Sequence, residues 1–355
     1  MPKRPFDHTT YDRKHFETIT QYVKRIKRIY ARTIRDAVLI SQNIRLADGQ
    51  LFSFEANQVL KQQADLLFQA MYTEMLKTIN AGTNEVWLIS ALKNDDLVKS
   101  VLDTTKLSES VLSRYLNRNL SALSAFQNRK VGGMGLSERI WKQTQQFRSE
   151  LEFGLDIGIG EGKSAAALAR DLQQNMIDPD RLFRRVRDKH GNLVLSKAAK
   201  NFNPGQGVYR SSYKNALRLT RTEINMSYRT ADYERFQQLD FVVGYEVKRS
   251  NNLTTCDVCG PLAGKYPKTF RFIGWHSNCR CFVVSILATN KVMNELELKL
   301  LNDEPTADFK SSNEVKNVHP GYLKWIKENN SRILRAKSVP YFIRDNPQYS
   351  GLRIG

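Results

Sequence analysis

All four cysteines of this chain, Cys256, Cys259, Cys279 and Cys281, fall within 26 residues of one another. The segment Cys256-Asp-Val-Cys259 is followed sixteen residues later by His276-Ser-Asn-Cys279-Arg-Cys281. Each half places soft ligands on one tight turn, and the spacer lets the two turns face each other. This is the arithmetic of a tetrahedral zinc site. A catalytic zinc keeps three protein ligands and an open position, whereas here five candidate ligands compete for four places. The site is therefore expected to be structural. The expected shell is Cys256, Cys259, His276 and Cys279, with Cys281 as the alternate. Cys281 opens the apolar run Cys-Phe-Val-Val-Ser-Ile-Leu, a buried strand in which a free cysteine is at home. Sites of this kind contribute roughly 10–16 kcal/mol of folding free energy. The competing arrangement, two disulfides in an oxidising compartment, would call for an export signal. The opening Met-Pro-Lys-Arg-Pro-Phe-Asp-His leads into an amphipathic helix without an apolar stretch.

A chain of 355 residues can bury a proper core and is expected to divide into two or three units. It contains no apolar run long enough for a membrane span. The net charge is +19 and is unevenly spread. Residues 181–221 hold eleven Lys or Arg against one acid, Asp188. Such a stripe is the electrostatic footprint of a polyanion partner, and non-specific double-stranded DNA contact is expected through Arg184, Arg185, Arg187, Lys189, Lys197 and Lys200. No base-reading motif accompanies them, so the contacts would be to phosphates. A second basic cluster, Lys24, Arg25, Lys27, Arg28, Arg32 and Arg35, is taken as a solvated helix face.

The first 180 residues read as helices in series. Phe16, Ile19, Val23, Ile26 and Tyr30 form one stripe. Leu60, Ala64, Leu67 and Met71 form a second, predicted to stop near Gly82. A third helix is expected to carry Val111, Leu112, Tyr115, Leu116, Leu120 and Leu123. A fourth, capped by Ser137, is expected to run through Ile140, Trp141, Phe147 and Leu151. The segment Gly158-Ile-Gly-Glu-Gly-Lys-Ser164 is not a phosphate-binding loop. Ile157 stands where that motif needs its first glycine, and the preceding element is helical. The glycines are expected to end one helix, and Ser164 to cap the next. Residues 178–211 read as a long excursion with little regular structure. Then come a helix from about Ser212 to Gln238, a strand over 241–248, a helix over 290–301, an acidic linker, and a last helix from Pro320.

The polar side of the 212–238 helix carries Arg218, Arg221, Glu223, Asn225 and Arg229. Without a nucleophile, metal carboxylates or a phosphate loop nearby, Arg218, Arg221 and Glu223 read as a structural polar network, a buried ion pair docking the helix on the metal module.

The order Arg218-Leu-Thr-Arg-Thr-Glu223-Ile-Asn, strand, Cys-x-x-Cys, then His-x-Asn-Cys-Arg-Cys resembles the phage Mu protein F-like family of minor head morphogenesis proteins. The resemblance covers roughly residues 130–290. Ser277 replaces a proline usual in the family, which affects turn stiffness and no ligand. The family's tolerance for loss of the last cysteine agrees with the choice of Cys279 over Cys281. The resemblance implies a structural virion component near the portal, present in the host cytoplasm during assembly, contacting other capsid proteins and packaged DNA, with no catalytic residue. The expected fold is mainly α (α+β overall). It comprises a helical N-terminal region (1–128), a head-morphogenesis domain (129–289) with its zinc module at 241–287, and a linker and helical tail (290–355). A zinc-stabilised DNA-binding nuclease is the alternative. Against it, the histidines outside the site (His8, His15, His190, His319) form no motif.

Overall fold

A computed structural model describes residues 6–47, 50–178, 185–187, 190–191, 193–195, 209, 211–250, 256–336 and 338–352. The protein is mainly α with a small antiparallel sheet. In chain order the helices begin with α1 (His8–Ser41), α2 (Gln58–Val101), α3 (Glu109–Tyr115), α4 (Leu120–Asn128), α5 (Leu136–Gly160) and α6 (Ala165–Ile177). Strands β1 (Arg185–Arg187) and β2 (Leu193–Leu195) pair antiparallel, and α7 (Ser212–Gln238) follows. The C-terminal part contains β3 (Val242–Lys248), α8 (Cys259–Leu262), β4 (Gly264–Tyr266), β5 (Phe282–Leu287), α9 (Asn290–Leu301), α10 (Pro320–Arg335), α11 (Tyr341–Arg344) and α12 (Pro347–Ser350). Among the described residues no helix is long and apolar enough to cross a membrane.

Several expected boundaries move. The second helix does not stop at Gly82 but continues to Val101. Thr83, Val86 and Trp87 extend its buried face, and tertiary burial outweighs the roughly 1 kcal/mol that a glycine costs in a helix interior. The expected third helix is two, α3 and α4, separated by a turn in which Asn119 takes a left-handed conformation (φ 51°). Asparagine tolerates this conformation better than most residues. Helix α5 begins after Gly135, not Ser137. The Gly135 N–H donates to Glu138 Oε2 at 2.6 Å, while the Ser137 hydroxyl pairs with Tyr72 Oη at 2.7 Å. Ser164 does cap α6, accepting from the Ala167 N–H. The excursion over 178–211 contains the β1–β2 hairpin, and β4 was not anticipated.

The fold divides into two compact units, each discontinuous in sequence. One comprises Met1–Ile19, Ala81–Gly132 and Arg221–Gly355; the other comprises Thr20–Asn80 and Gly133–Thr220.

In the first unit the sheet order is β4-β3-β5, all antiparallel. Its main core joins Tyr245 and Val247 of β3, Trp275 of the loop that leads to Cys279, Tyr322 and Ile326 of α10, and Phe342 of α11. The Trp275 and Phe342 rings meet edge to face at 5.4 Å, so the C-terminal helices belong to the same core as the cysteine module. In the second unit Ile26, Tyr30 and Ile34 of α1 are buried, as are Ala64 and Phe68 of α2 and Ile140, Phe147 and Leu151 of α5. Here Tyr30 packs on Phe147 with ring centroids 4.6 Å apart.

Candidate metal centre

Two turns build the site. In the first, the Gly260 N–H donates to the Cys256 carbonyl at 3.0 Å and the Cys259 N–H points at Cys256 Sγ at 3.4 Å, so the backbone itself brings both sulfurs to one side. In the second, the Cys279 N–H donates to the His276 carbonyl at 3.0 Å, with Asn278 left-handed at φ 62°. Gly274 (φ +120°) completes it. A side chain there would start 3.3 Å from Cys279 Cβ, in a backbone conformation that L-residues rarely adopt.

The sulfurs and the imidazole converge. His276 Nε2 lies 3.2 Å from Cys256 Sγ and 3.1 Å from Cys259 Sγ, and Cys259 Sγ lies 3.9 Å from Cys279 Sγ. The edges of a tetrahedral zinc site with nitrogen and sulfur ligands are about 3.5–3.8 Å, given the bond lengths of that metal. A disulfide needs about 2.0 Å, and all four cysteines are free. His276 Nδ1 is 2.7 Å from the Ser277 carbonyl, so the ring donates there and presents Nε2 to the sulfurs, the orientation a ligating histidine requires.

The five candidate ligands form two groups that share Cys259. Cys256, Cys259 and His276 make one; Cys259, Cys279 and Cys281 make the other. The expected shell of Cys256, Cys259, His276 and Cys279 thus draws on both groups. Cys281, expected to be a bystander in the strand, lies just before β5 and is buried with Cys259 and Cys279.

The electrostatics divide the four thiols into two lowered and two raised. Hydrogen bonds from Cys259 and Cys281 hold the Cys279 thiol well below its usual range, while the same crowding raises Cys259. Cys259 pulls Cys281 down, but Cys279 and burial outweigh it and push that thiol up to about 12. Burial would raise Cys256, yet backbone N–H groups of Cys259 and Val258 and the neighbouring His276 overcome it and lower the thiol. A cluster that already favours thiolate at two sulfurs, with an imidazole nitrogen aimed at a third, suits a soft, tetrahedral cation.

The other expected residues lie elsewhere. Arg184, Lys189, Lys197 and Lys200 fall outside the described residues. Arg185 and Arg187 are in β1, where the backbone alone is described. Glu223 is buried and pairs with Arg129, whose Nη2 lies 2.8 Å from Glu223 Oε2 and whose guanidinium covers the Phe126 ring at 3.6 Å. Arg129 follows α4 and was not foreseen as this partner. Arg218 and Arg221 are half-buried on α7.

Sequence reasoning also missed a buried polar centre in the first unit. Lys93 Nζ meets Asp232 Oδ2 at 2.6 Å, and Asp232 also accepts from Ser90 and Asn94. The fully buried Arg229 stands 3.8 Å from Asp232 and 3.9 Å from Asp12, while His15 stacks on Tyr228 at 4.0 Å. Removing one partner of such a network typically costs 3–5 kcal/mol. Its only trace in the sequence is the spacing of Arg229, Asp232 and Arg235 on one face of α7, which looks the same as a solvated face.

Searches for matching family models, curated proteins and solved structures found none for this chain.

Proposed function

We propose that this chain is a zinc-stabilised structural protein of a tailed phage or prophage head, assembled near the portal and in non-specific contact with packaged DNA. The carrying observation is the convergence of Cys256, Cys259, His276, Cys279 and Cys281 inside the core that also receives the C-terminal helices. The donor set of thiolates and one oriented imidazole fits zinc. The ion would hold the two turns together, and Cys256, Cys259, His276 and Cys279 would hold the ion, with Cys281 as the alternate. The order of α7, β3 and the paired turns follows the resemblance to head morphogenesis proteins, which supports the virion assignment. No catalytic residue is assigned: five candidate donors compete for the four places of a tetrahedral ion, with Cys259, Cys279 and Cys281 buried and Cys256 and His276 half-buried.

The test has two arms. Elemental analysis should give one zinc per chain. Cys259→Ser, which removes the sulfur shared by both groups, should lose it, and Cys281→Ser should largely retain it. Retention in Cys259→Ser would reject the metal centre. Mass spectrometry of purified particles from a producing strain should find the chain as a minor component. Its absence from intact particles would reject the virion role and leave the metal result standing.

A further inference from the structure

Between residues 21 and 35 the exposed side of α1 is an almost uninterrupted row of cations. Over residues 21–35 seven side chains are exposed, and six of them are Lys24, Arg25, Lys27, Arg28, Arg32 and Arg35; the seventh is Gln21. The opposite face, with Val23, Ile26, Ile29, Tyr30 and Ile34, is buried. The row therefore lies on a rigid, anchored helix rather than on a loop. Arg32 is paired with Glu74, and the Arg25 guanidinium sits 4.3 Å over the Tyr22 ring. Among the described residues no carboxylate pairs with Lys24, Arg25, Lys27, Arg28 or Arg35, and the one acid in this stretch of the helix, Asp36, is half-buried. Like charges three and four residues apart destabilise a helix by roughly 0.2–0.5 kcal/mol per pair. A solvated face would ordinarily intersperse acids to relieve that repulsion.

Three polyanion classes could neutralise the row, and its composition separates them. A helix lying on a lipid surface needs exposed apolar residues to insert, whereas the apolar residues of this stretch face the core. A protein interface buries a centre enriched in aromatic residues and Met and depleted in Lys, and no exposed aromatic or Met lies between residues 21 and 35. Duplex nucleic acid needs neither, since its phosphates can be held by charge alone. From Lys24 to Arg35 the helix rises about 16 Å. A duplex of that length carries on the order of ten phosphates over both strands, which supplies enough on its near side for five cations.

We infer that the solvent face of α1, through Lys24, Arg25, Lys27, Arg28 and Arg35, is a non-specific docking surface for the phosphate backbone of duplex nucleic acid. This extends the DNA contact of the proposed function and assigns it to residues other than the basic segment over 181–214. It requires no base contact, so binding is insensitive to sequence and steeply dependent on salt.

The experiment uses the full-length, metal-loaded chain and a mixed-sequence duplex, with binding followed by fluorescence anisotropy from 50 to 200 mM salt. With about five phosphates neutralised, the slope of log affinity against log salt should be roughly −4.5. Lys24→Gln/Arg28→Gln/Arg35→Gln should weaken binding at least tenfold at 100 mM salt and flatten the slope by about 2.5–3, reflecting three lost contacts. The charge-keeping Lys24→Arg/Arg28→Lys/Arg35→Lys should bind within twofold of the parent. Circular dichroism should confirm that both variants are folded, as exposed positions allow. A parallel Arg184→Gln/Arg185→Gln/Arg187→Gln variant separates the two surfaces. Loss in that variant with unchanged affinity and slope in the α1 neutral variant would overturn this inference and leave the other segment as the contact. Loss in the α1 variant alone would uphold it and reject the other segment. Tighter binding to vesicles of 30% anionic lipid than to duplex, or equal competition by polyglutamate at matched charge, would also overturn it.

Discussion

Glu150 is a carboxylate that the second unit holds under protest. It is buried on α5, where Ser212 donates to it from both backbone N–H (2.8 Å) and hydroxyl (2.7 Å), and Gln146 donates at 2.9 Å. Burial nevertheless dominates those three bonds and raises the group from 4.5 to about 7. Because the folded value lies above the unfolded one, the stabilising proton is fully in place below pH 4.5. That contribution is lost as pH rises toward 7. The span corresponds to about 3 kcal/mol. Glu150→Gln keeps an acceptor for the Ser212 N–H and removes the charge. It should be more stable than the parent by about 1–3 kcal/mol at pH 8, with the advantage gone at pH 4.5, as read by urea denaturation at both pH values. An advantage that does not change with pH would show that Glu150 does not titrate in this range.

At the scale of elements, the glycines that imitate a phosphate loop are packing surfaces and a stop. A Cβ on Gly158 would meet Leu168 Cδ1 at 2.2 Å, and one on Gly154 would meet Leu172 Cδ2 at 2.2 Å, so α5 and α6 touch where α5 has no side chain. Gly160 has nothing within 4 Å, and Gly162 (φ +65°) turns the chain out of the helix. Gly158→Leu should therefore destabilise by roughly 2–3 kcal/mol through overpacking. Gly160→Ala should be neutral or stabilising by up to about 1 kcal/mol. Equal effects in thermal denaturation would contradict this division of roles. The same elements show what the sequence could carry. Helices α7 and α9 and the start of α10 lie where their periodicity, caps and Pro320 predict them, because local pattern and burial agree there. The length of α2, the break at Asn119 and strand β4 were not legible. Each depends on a partner distant in sequence: Gly82 survives inside a buried helix, Asn119 Oδ1 accepts from Gln238 Nε2 at 2.5 Å, and β4 pairs as the edge partner of β3. At the paired turns spacing alone picked out all five residues of the two groups that could hold a metal. It could not divide them into two groups sharing Cys259, which is a matter of how the turns close in space.

For the whole molecule, the consequence is that one metal should support one core and not the other. The cysteine groups sit in the first unit, where Cys259, Cys279 and Cys281 share a buried cluster with Trp275, Tyr322 and Phe342. The second unit has its own core around Tyr30, Phe68 and Phe147, built from helices that carry no candidate ligand. With metal binding contributing on the order of 10 kcal/mol, its loss is comparable to the whole stability of a typical domain. Opening should then follow the boundaries of cooperative units rather than spread evenly. After chelation, hydrogen exchange of amides in β3, β5 and α10 should accelerate at least tenfold, which is a loss of about 1.4 kcal/mol or more in opening free energy. Amides in α5 and α6 should keep their protection within about twofold, less than half a kcal/mol on the same scale. Uniform acceleration through both sets would mean that the chain unfolds as one cooperative body. No acceleration in either would mean that the turns hold without an ion. The selective outcome would establish the cysteine turns as the fastening of the core they share with the C-terminal helices.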